Sequence, residues 1–310
     1  MDDGSKIALK ITFDRKTKKC EFDFTGTSPQ VYGNINTPKS IVYSSIIYCL
    51  RCLTNTEMPL NQGCLKPVSV IIPKSSLLNP DSECAVVGGN VTTSQRITDI
   101  ILKAFGACAA SQGCMNNFTF GCNQFGYYET IGGGSGAGPN WHGKSGIQVH
   151  MTNTRITDIE IIERRYPVIV NEFSLRKNSG GRGKFNGGDG IIRSFTFIIE
   201  LEASILSERR VFEPFGIEGG ENGKRGFNFL IKRNGSVFNV GSKNSINVEP
   251  FDRIVILTPG GGGYGKIEEI GKEEMDNIEN KHKNFDNMNS HQAYLCLGSL
   301  SQFIYNQNTN

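Results

Sequence analysis

Arg165-Tyr166-Pro167-Val168-Ile169-Val170-Asn171-Glu172-Phe173-Ser174-Leu175 marks a change of texture in the chain. Just upstream, Thr157 with Glu160 three residues on forms a capping box for a short helix. That helix must stop before Pro167, because proline lacks an amide donor and pushes the preceding residue out of the helical region. Downstream, Val168 to Leu175 reads as a strand, and so do Ile191 to Glu200, Ala203 to Leu206, Phe227 to Ile231 and Arg253 to Leu257. Asn234-Gly235 between two of them is a strong hairpin turn, since both residue types accept positive φ. Everything from 167 to 265 is therefore expected to be β-rich, either layered or barrel-like.

Upstream of Pro167 the pattern is mixed. Ile7, Leu9, Ile11 and Phe13 alternate, a polar turn follows from Asp14 to Lys19, and Cys20, Phe22 and Phe24 alternate again, which predicts a β-hairpin. Ser40 stands where it could cap a helix with the apolar face Val42, Ile46, Cys49 and Leu53. Val68 to Ile72 reads as a short strand stopped by Pro73. Thr92 and Gln95 form another capping box ahead of Ile97, Ile100, Ile101, Ala104 and Phe105, and small residues carry this helix on toward Gly113. The predicted class is α+β. Residues 1–166 form a mixed helix and strand part, 167–265 a β-rich part of the same domain, and 266–310 a charged, Asn-rich solvated tail whose stretch from Tyr294 to Tyr305 could dock back.

Composition narrows the function classes. Of 310 residues, 37% are hydrophobic and 20% charged, as in soluble globular chains. A net charge of +3 leaves no footprint for nucleic acid or an acidic membrane. The best apolar run, Ile41 to Leu53, contains Ser44, Ser45 and Arg51 and falls short of the roughly 18 residues of a spanning helix. Nine irregularly spaced cysteines follow a Met1-Asp2-Asp3-Gly4 start without a signal-peptide pattern, so reduced thiols and a cytoplasmic location are expected. The sequons at Asn90, Asn117 and Asn234 would then go unused. The 37 glycines are clustered, which points to turns and to close backbone approaches.

Several motifs invite chemistry. Gly138 to Ser145 has the spacing of a phosphate-binding P-loop, but such a loop opens a helix, whereas here Gly146 follows and Ile147 to Met151 look extended. A nucleotide-binding protein built on this loop is thus the alternative reading rather than the first. Cys49 and Cys52 lack a second pair and read as core thiols, not a zinc site. Gly132 to Gly138 could present its amides to an anion or carbonyl oxygen, with Glu129 and Thr130 just before it, or could be a flexible loop. Gly260 to Gly263 reads as a structural turn. His150 to Asp158 packs polar groups at a junction where Arg155 is suited to a carboxylate, and Glu208-Arg209-Arg210 is a comparable charged cluster. His142 and His150 are the only histidines before the tail.

These blocks, taken in order, resemble the hydantoinase B/oxoprolinase family, in particular the C-terminal part of its eukaryotic-type members. The resemblance is carried by Asp23 to Thr27, Leu60 to Cys64, Val86 to Arg96, Gln112 to Asn117, Gly126 to Thr130, Trp141 to Gly143 through His150 to Arg155, Ser179 to Gly183 and Thr258 to Gly265. It runs nearly unbroken from Met1 to Gly265. It implies ATP-dependent hydrolytic opening of 5-oxo-L-proline to L-glutamate, within the γ-glutamyl cycle of glutathione. It also implies that ATP and a divalent metal bind mainly outside this chain, in hydantoinase A-like and N-terminal hydantoinase B-like regions supplied in cis or in trans, with a homodimer when complete. The chain alone is then expected to be inactive, a piece of a longer reading frame; a non-catalytic remnant or scaffold is the other possibility. Within the matched blocks, residue chemistry points to Glu129 and the amides of Gly132, Gly133 and Gly134 as contacts for substrate or oxyanion. Asn153 and Arg155 would hold the substrate carboxylate, and His142 or His150 would carry a proton.

Overall fold

A computed structural model of the chain describes residues 1–54, 61–150, 152 and 154–267. The hairpin forms as the alternation predicts: β1 (Lys10–Asp14) and β2 (Lys19–Asp23) are antiparallel, and β3 (Val68–Ile71) adds alongside β2 in parallel. Two helices share a core with this sheet. α1 (Lys39–Leu53) buries Val42, Ile46 and Cys49 against Phe22 and Phe24, and α2 (Ser94–Ala104) contributes Ile97 and Ile101. The helix starts differ from expectation. Pro38 holds the N-cap position of α1, leaving Ser40 inside the first turn. Thr92 sits within a π-helical turn, Gly89–Thr93, that runs straight into α2, so no side chain caps that helix. Nor does α2 reach Gly113. Gly106 takes φ +63, and beyond it the amides of Ala109 and Gln112 donate to the carbonyls of Ala137 and Gly134 instead of continuing the helix. In α3 (Ile159–Arg165) the cap is Asp158 rather than Thr157, its carboxylate accepting from the amides of Glu160 and Ile161.

The β-rich half is a layered pair of open sheets, not a barrel. One sheet has five strands in the order β10-β9-β12-β7-β6, where β6 is Val168–Arg176, β7 Gly190–Phe197, β9 Phe227–Ile231, β10 Val237–Asn239 and β12 Arg253–Leu257. The other has four in the order β11-β8-β4-β5, with β4 Asn117–Cys122, β5 Phe125–Thr130, β8 Leu201–Leu206 and β11 Lys243–Val248. Gly235 takes φ +86 in the turn joining β9 and β10, as Asn234-Gly235 predicts. The strands β4 and β5 were not foreseen. They pair with β8, so this sheet draws on chain from both sides of the 166/167 division. Between the sheets lies an aromatic core that includes Phe118, Phe120, Phe195, Phe197 and Ile254.

A third kind of packing joins the helical layer to the sheets. Segments near 109–112, 132–138, 143–147, 180–188, 214–226 and 258–265 bond backbone to backbone, with isolated bridges but no ladders. The amide of Gly134 donates to Pro259, that of Ser135 to Lys144, that of Gly188 to Ser135 and that of Gly261 to Gly188. A Cβ on Gly134 would stand 1.9 Å from the carbonyl oxygen of Gly188 and 2.3 Å from the amide of Gly261. Glycine is required here because the chains approach closer than any side chain allows, the same reason it lines a collagen axis. The close backbone approaches expected from the clustered glycines are present at this point. Among the described residues no helix is long and apolar enough to cross a membrane.

Candidate functional site

The lattice decides the fate of several sequence-predicted residues. Gly132, Gly133 and Gly134 are buried, and the amides of Gly133 and Gly134 donate to the carbonyls of Ile147 and Pro259. These two amides are engaged inside the fold and do not form an open nest. Glu129 is buried at 3% exposure on β5. Both its oxygens accept from Arg193, at 3.1 Å each, and Oε2 also accepts from the Tyr127 hydroxyl at 2.7 Å. Because Arg193 lies on β7, this pair ties the two sheets together across their core and holds the carboxylate inside it, away from solvent. The Gly138 to Ser145 stretch is not a phosphate loop. Gly138 bridges to Trp141, the amide of Lys144 donates to the Ser135 hydroxyl, Gly146 takes φ +62, and among the described residues the next helix begins at Ile159.

The remaining candidates separate. His142 is exposed, its Nδ1 accepts from the Asn186 amide at 2.9 Å, and its ring packs against Phe185. That hydrogen bond leaves the neutral ring's proton on Nε2. Asn186 also lines a polar cleft of about 610 Å³ with Arg182, Asp189 and Glu221. Arg155 is exposed, and Asn153 lies outside the described residues. Cys49 is buried and Cys52 exposed on α1.

His150 stands in different surroundings. Gln95 Nε2 on α2 donates to the Val149 carbonyl at 3.0 Å, fastening the chain just before it. The His150 backbone takes φ +57, a left-handed conformation that costs a non-glycine residue on the order of 1–3 kcal/mol and concentrates at functional sites. Its Nδ1 lies 3.2 Å from the Tyr48 hydroxyl on α1, and its Nε2 lies 3.7 Å from Asp99 Oδ1 on α2, beyond hydrogen-bond length but close for charge. The side chain retains 11% exposure while that of Asp99 has none. Asp99 is itself braced: Oδ1 accepts from the Ser111 amide at 3.1 Å and Oδ2 from Arg209 at 2.7 Å, while Arg209 also donates to the Glu213 carbonyl. Arg209 is the second left-handed residue of this group, at φ +64.

Electrostatics follow from this geometry. Burial by itself would raise Asp99, but the His150 ring and the guanidiniums of Arg209 and Arg96 outweigh it and hold the carboxyl below its ordinary value. Burial, with Arg96 nearby, pushes Arg209 down to about 10, so it stays charged at neutral pH. Burial, then the neighbouring Cys52, pushes Tyr48 up, so its hydroxyl keeps its proton and can donate to Nδ1. With Tyr48 donating, the ring proton of neutral His150 sits on Nε2, facing an ionised carboxylate. This arrangement fixes the ring's orientation and tautomer between a hydroxyl and a carboxylate, a geometry suited to a proton carrier. Arg209 was visible in the sequence as part of a charged cluster. Tyr48 and Asp99 were not singled out, and the only signal was a carboxylate between the apolar positions Ile97 and Ile101.

Among the described residues no three His, Cys, Asp or Glu side chains converge to hold a metal ion. The Gly138 to Ser145 stretch likewise lacks the helix N-terminus on which a phosphate loop depends.

The family model described as hydantoinase B/oxoprolinase matches residues 1–267. A 5-oxoprolinase of Dictyostelium discoideum is 60% identical over 270 residues, covering 87% of this chain and 21% of that protein. The 5-oxoprolinase 1 of Arabidopsis thaliana is 59% identical over 265 residues, covering 86% and 21% respectively. The crystal structure of an ATP-dependent caprolactamase from Pseudomonas jessenii superposes with a TM-score of 0.73 at 24% identity, covering 84% of this chain and 48% of that one, which shows a shared fold. The chain thus spans about one fifth of the length of these curated relatives.

Proposed function

Because the chain belongs to the hydantoinase B/oxoprolinase family, we propose that it supplies one wall of the ring-opening pocket of a 5-oxoprolinase, hydrolysing 5-oxo-L-proline to L-glutamate at the expense of ATP. The observation that carries the chemical part of this reading is His150 held between the Tyr48 hydroxyl and the Asp99 carboxylate. A five-membered lactam is a poor electrophile and its nitrogen a poor leaving group. ATP would activate the amide oxygen by phosphorylation, leaving ADP, with phosphate lost as the ring opens, and the nucleotide and metal are proposed to bind mainly in the four-fifths of the relatives' length outside this segment. What this segment contributes is proton handling. His150 exchanges its proton through the Tyr48 hydroxyl, which passes its own proton to Nδ1 as it takes one from the attacking water and reverses the relay toward the ring nitrogen, while Asp99 faces the charge the imidazole acquires. His142, with its proton on Nε2, is the alternative donor. Arg155 and Asn153 remain the proposed clamp for the substrate carboxylate. The working enzyme is proposed to be a cytoplasmic homodimer acting in glutathione turnover.

The test is an assay of the complete protein with 5-oxoproline and ATP, alone and together. Glutamate should form only with both present, with ATP hydrolysis rising in step. ATP hydrolysis stimulated by a hydantoin or by a ketone with bicarbonate, and not by 5-oxoproline, would reassign the substrate.

A further inference from the structure

The two sheets present opposite outer faces. On the four-stranded sheet, Thr119, Ser204 and Ser245 stand in register, and the Ser204 and Ser245 hydroxyls are 2.7 Å apart. Such a face suits water. On the five-stranded sheet the residues facing the core are Phe195, Ile254, Ile256 and Leu230, all buried, so their neighbours in sequence point outward. Those neighbours are apolar too. Ile192 pairs with Leu257 and Leu257 with Phe227, while Val255 pairs with Phe229, which places five large side chains side by side. All five are partly open to solvent, and the Phe227 and Phe229 rings stack at 5.8 Å. At the two sheet edges Ile169 and Val237 extend the face, at 46% and 59% exposure. An antiparallel sheet with one wet face alternates apolar and polar; a run such as Ile254-Val255-Ile256-Leu257 belongs to a strand covered on both sides.

We propose that this outer face is a docking surface for the remainder of a hydantoinase B-length polypeptide, joined to this segment in one chain or supplied beside it. Length supports that occupant. The matched segment makes up 21% of the Dictyostelium protein and 48% of the caprolactamase chain, so in both at least as much polypeptide again is present to pack around it. Charge argues against a second copy. Arg176 and Arg225 lie over the Phe227 ring at the rim and Arg253 shares the outer face, while among the described residues of these strands the one outward carboxylate is that of Glu172. A face meeting itself across a two-fold axis would oppose these arginines, whereas a partner with an apolar centre and acidic margin would pair with them.

Native-state maleimide labelling of the full-length protein, read peptide by peptide by mass spectrometry, tests this with V255C on the apolar face and S245C on the hydroxyl face. V255C is expected to label at least about tenfold more slowly than S245C and to catch up in urea, as protection by packing requires. Equal native rates would overturn the proposal. Phe229→Glu, assayed by light scattering and thermal unfolding, should lower the melting temperature of the full-length protein without changing its mass. A mass halved by Phe229→Glu would assign the face to a second copy and overturn the occupant named here.

Discussion

Between β4 and β7 the chain is held by aromatic side chains, Phe118 and Phe195 lying 5.3 Å apart, whereas around Gly134 it is held by bare backbone, with Gly188 and Gly261 where side chains would stand. The first core is built from volume and forgives removal of atoms within limits. The second is built from hydrogen bonds between segments that touch, and it forgives no addition. The difference also explains the division of labour. A lattice with its amides engaged internally serves as a scaffold, so the proposed chemistry is assigned to the side chains along its margin, where Asp99 joins α2 to Ser111 and to Arg209.

The comparison is broken most sharply at Gly134. Gly134→Ala is expected to prevent folding, seen as loss of soluble protein, because its Cβ would meet backbone atoms that cannot move aside. Gly126→Ala, on β5 with nothing within 4 Å of the added carbon, serves as the matched control and should leave the melting temperature nearly unchanged. Next in size is the joint between the regions. Asp99→Asn leaves Arg209 buried without its charge partner and should cost about 3–5 kcal/mol in denaturant unfolding. The sign with pH follows from the depressed carboxyl. Asp99 contributes stability above its ordinary value of 3.8, and this is lost as pH falls through the lower folded value, so Asp99→Asn should flatten the acid limb of the stability curve. Smallest is truncation in the side-chain core, where Ile256→Val should cost about 0.5–1.5 kcal/mol.

Much of the fold was legible because period decides it. The hairpin of β1 and β2, the strands β6, β9 and β12 and the Asn234-Gly235 turn all announce themselves by alternation or by turn chemistry. The helix starts were less legible, since Thr92 and Ser40 match cap patterns that the backbone uses differently. The glycine run was the hardest to read. Gly132 to Gly138 has the same composition whether it forms a loop, a nest or a lattice, and only the partner segments, as distant as Pro259, distinguish them. The candidate site shows the same limit. His150 was selected for its chemistry, but Tyr48 and Asp99 lie 102 and 51 residues away, and nothing local links them.

His150→Asn in the full-length protein, assayed for ATP-dependent glutamate formation from 5-oxoproline, bears most directly on where the proton is carried. Asparagine tolerates the left-handed backbone at this position, so the fold should persist while kcat falls by about 10²–10⁴, the range for loss of a general acid–base group. A folded His150→Asn enzyme with kcat within about twofold of the parent, against that range, would contradict the assignment.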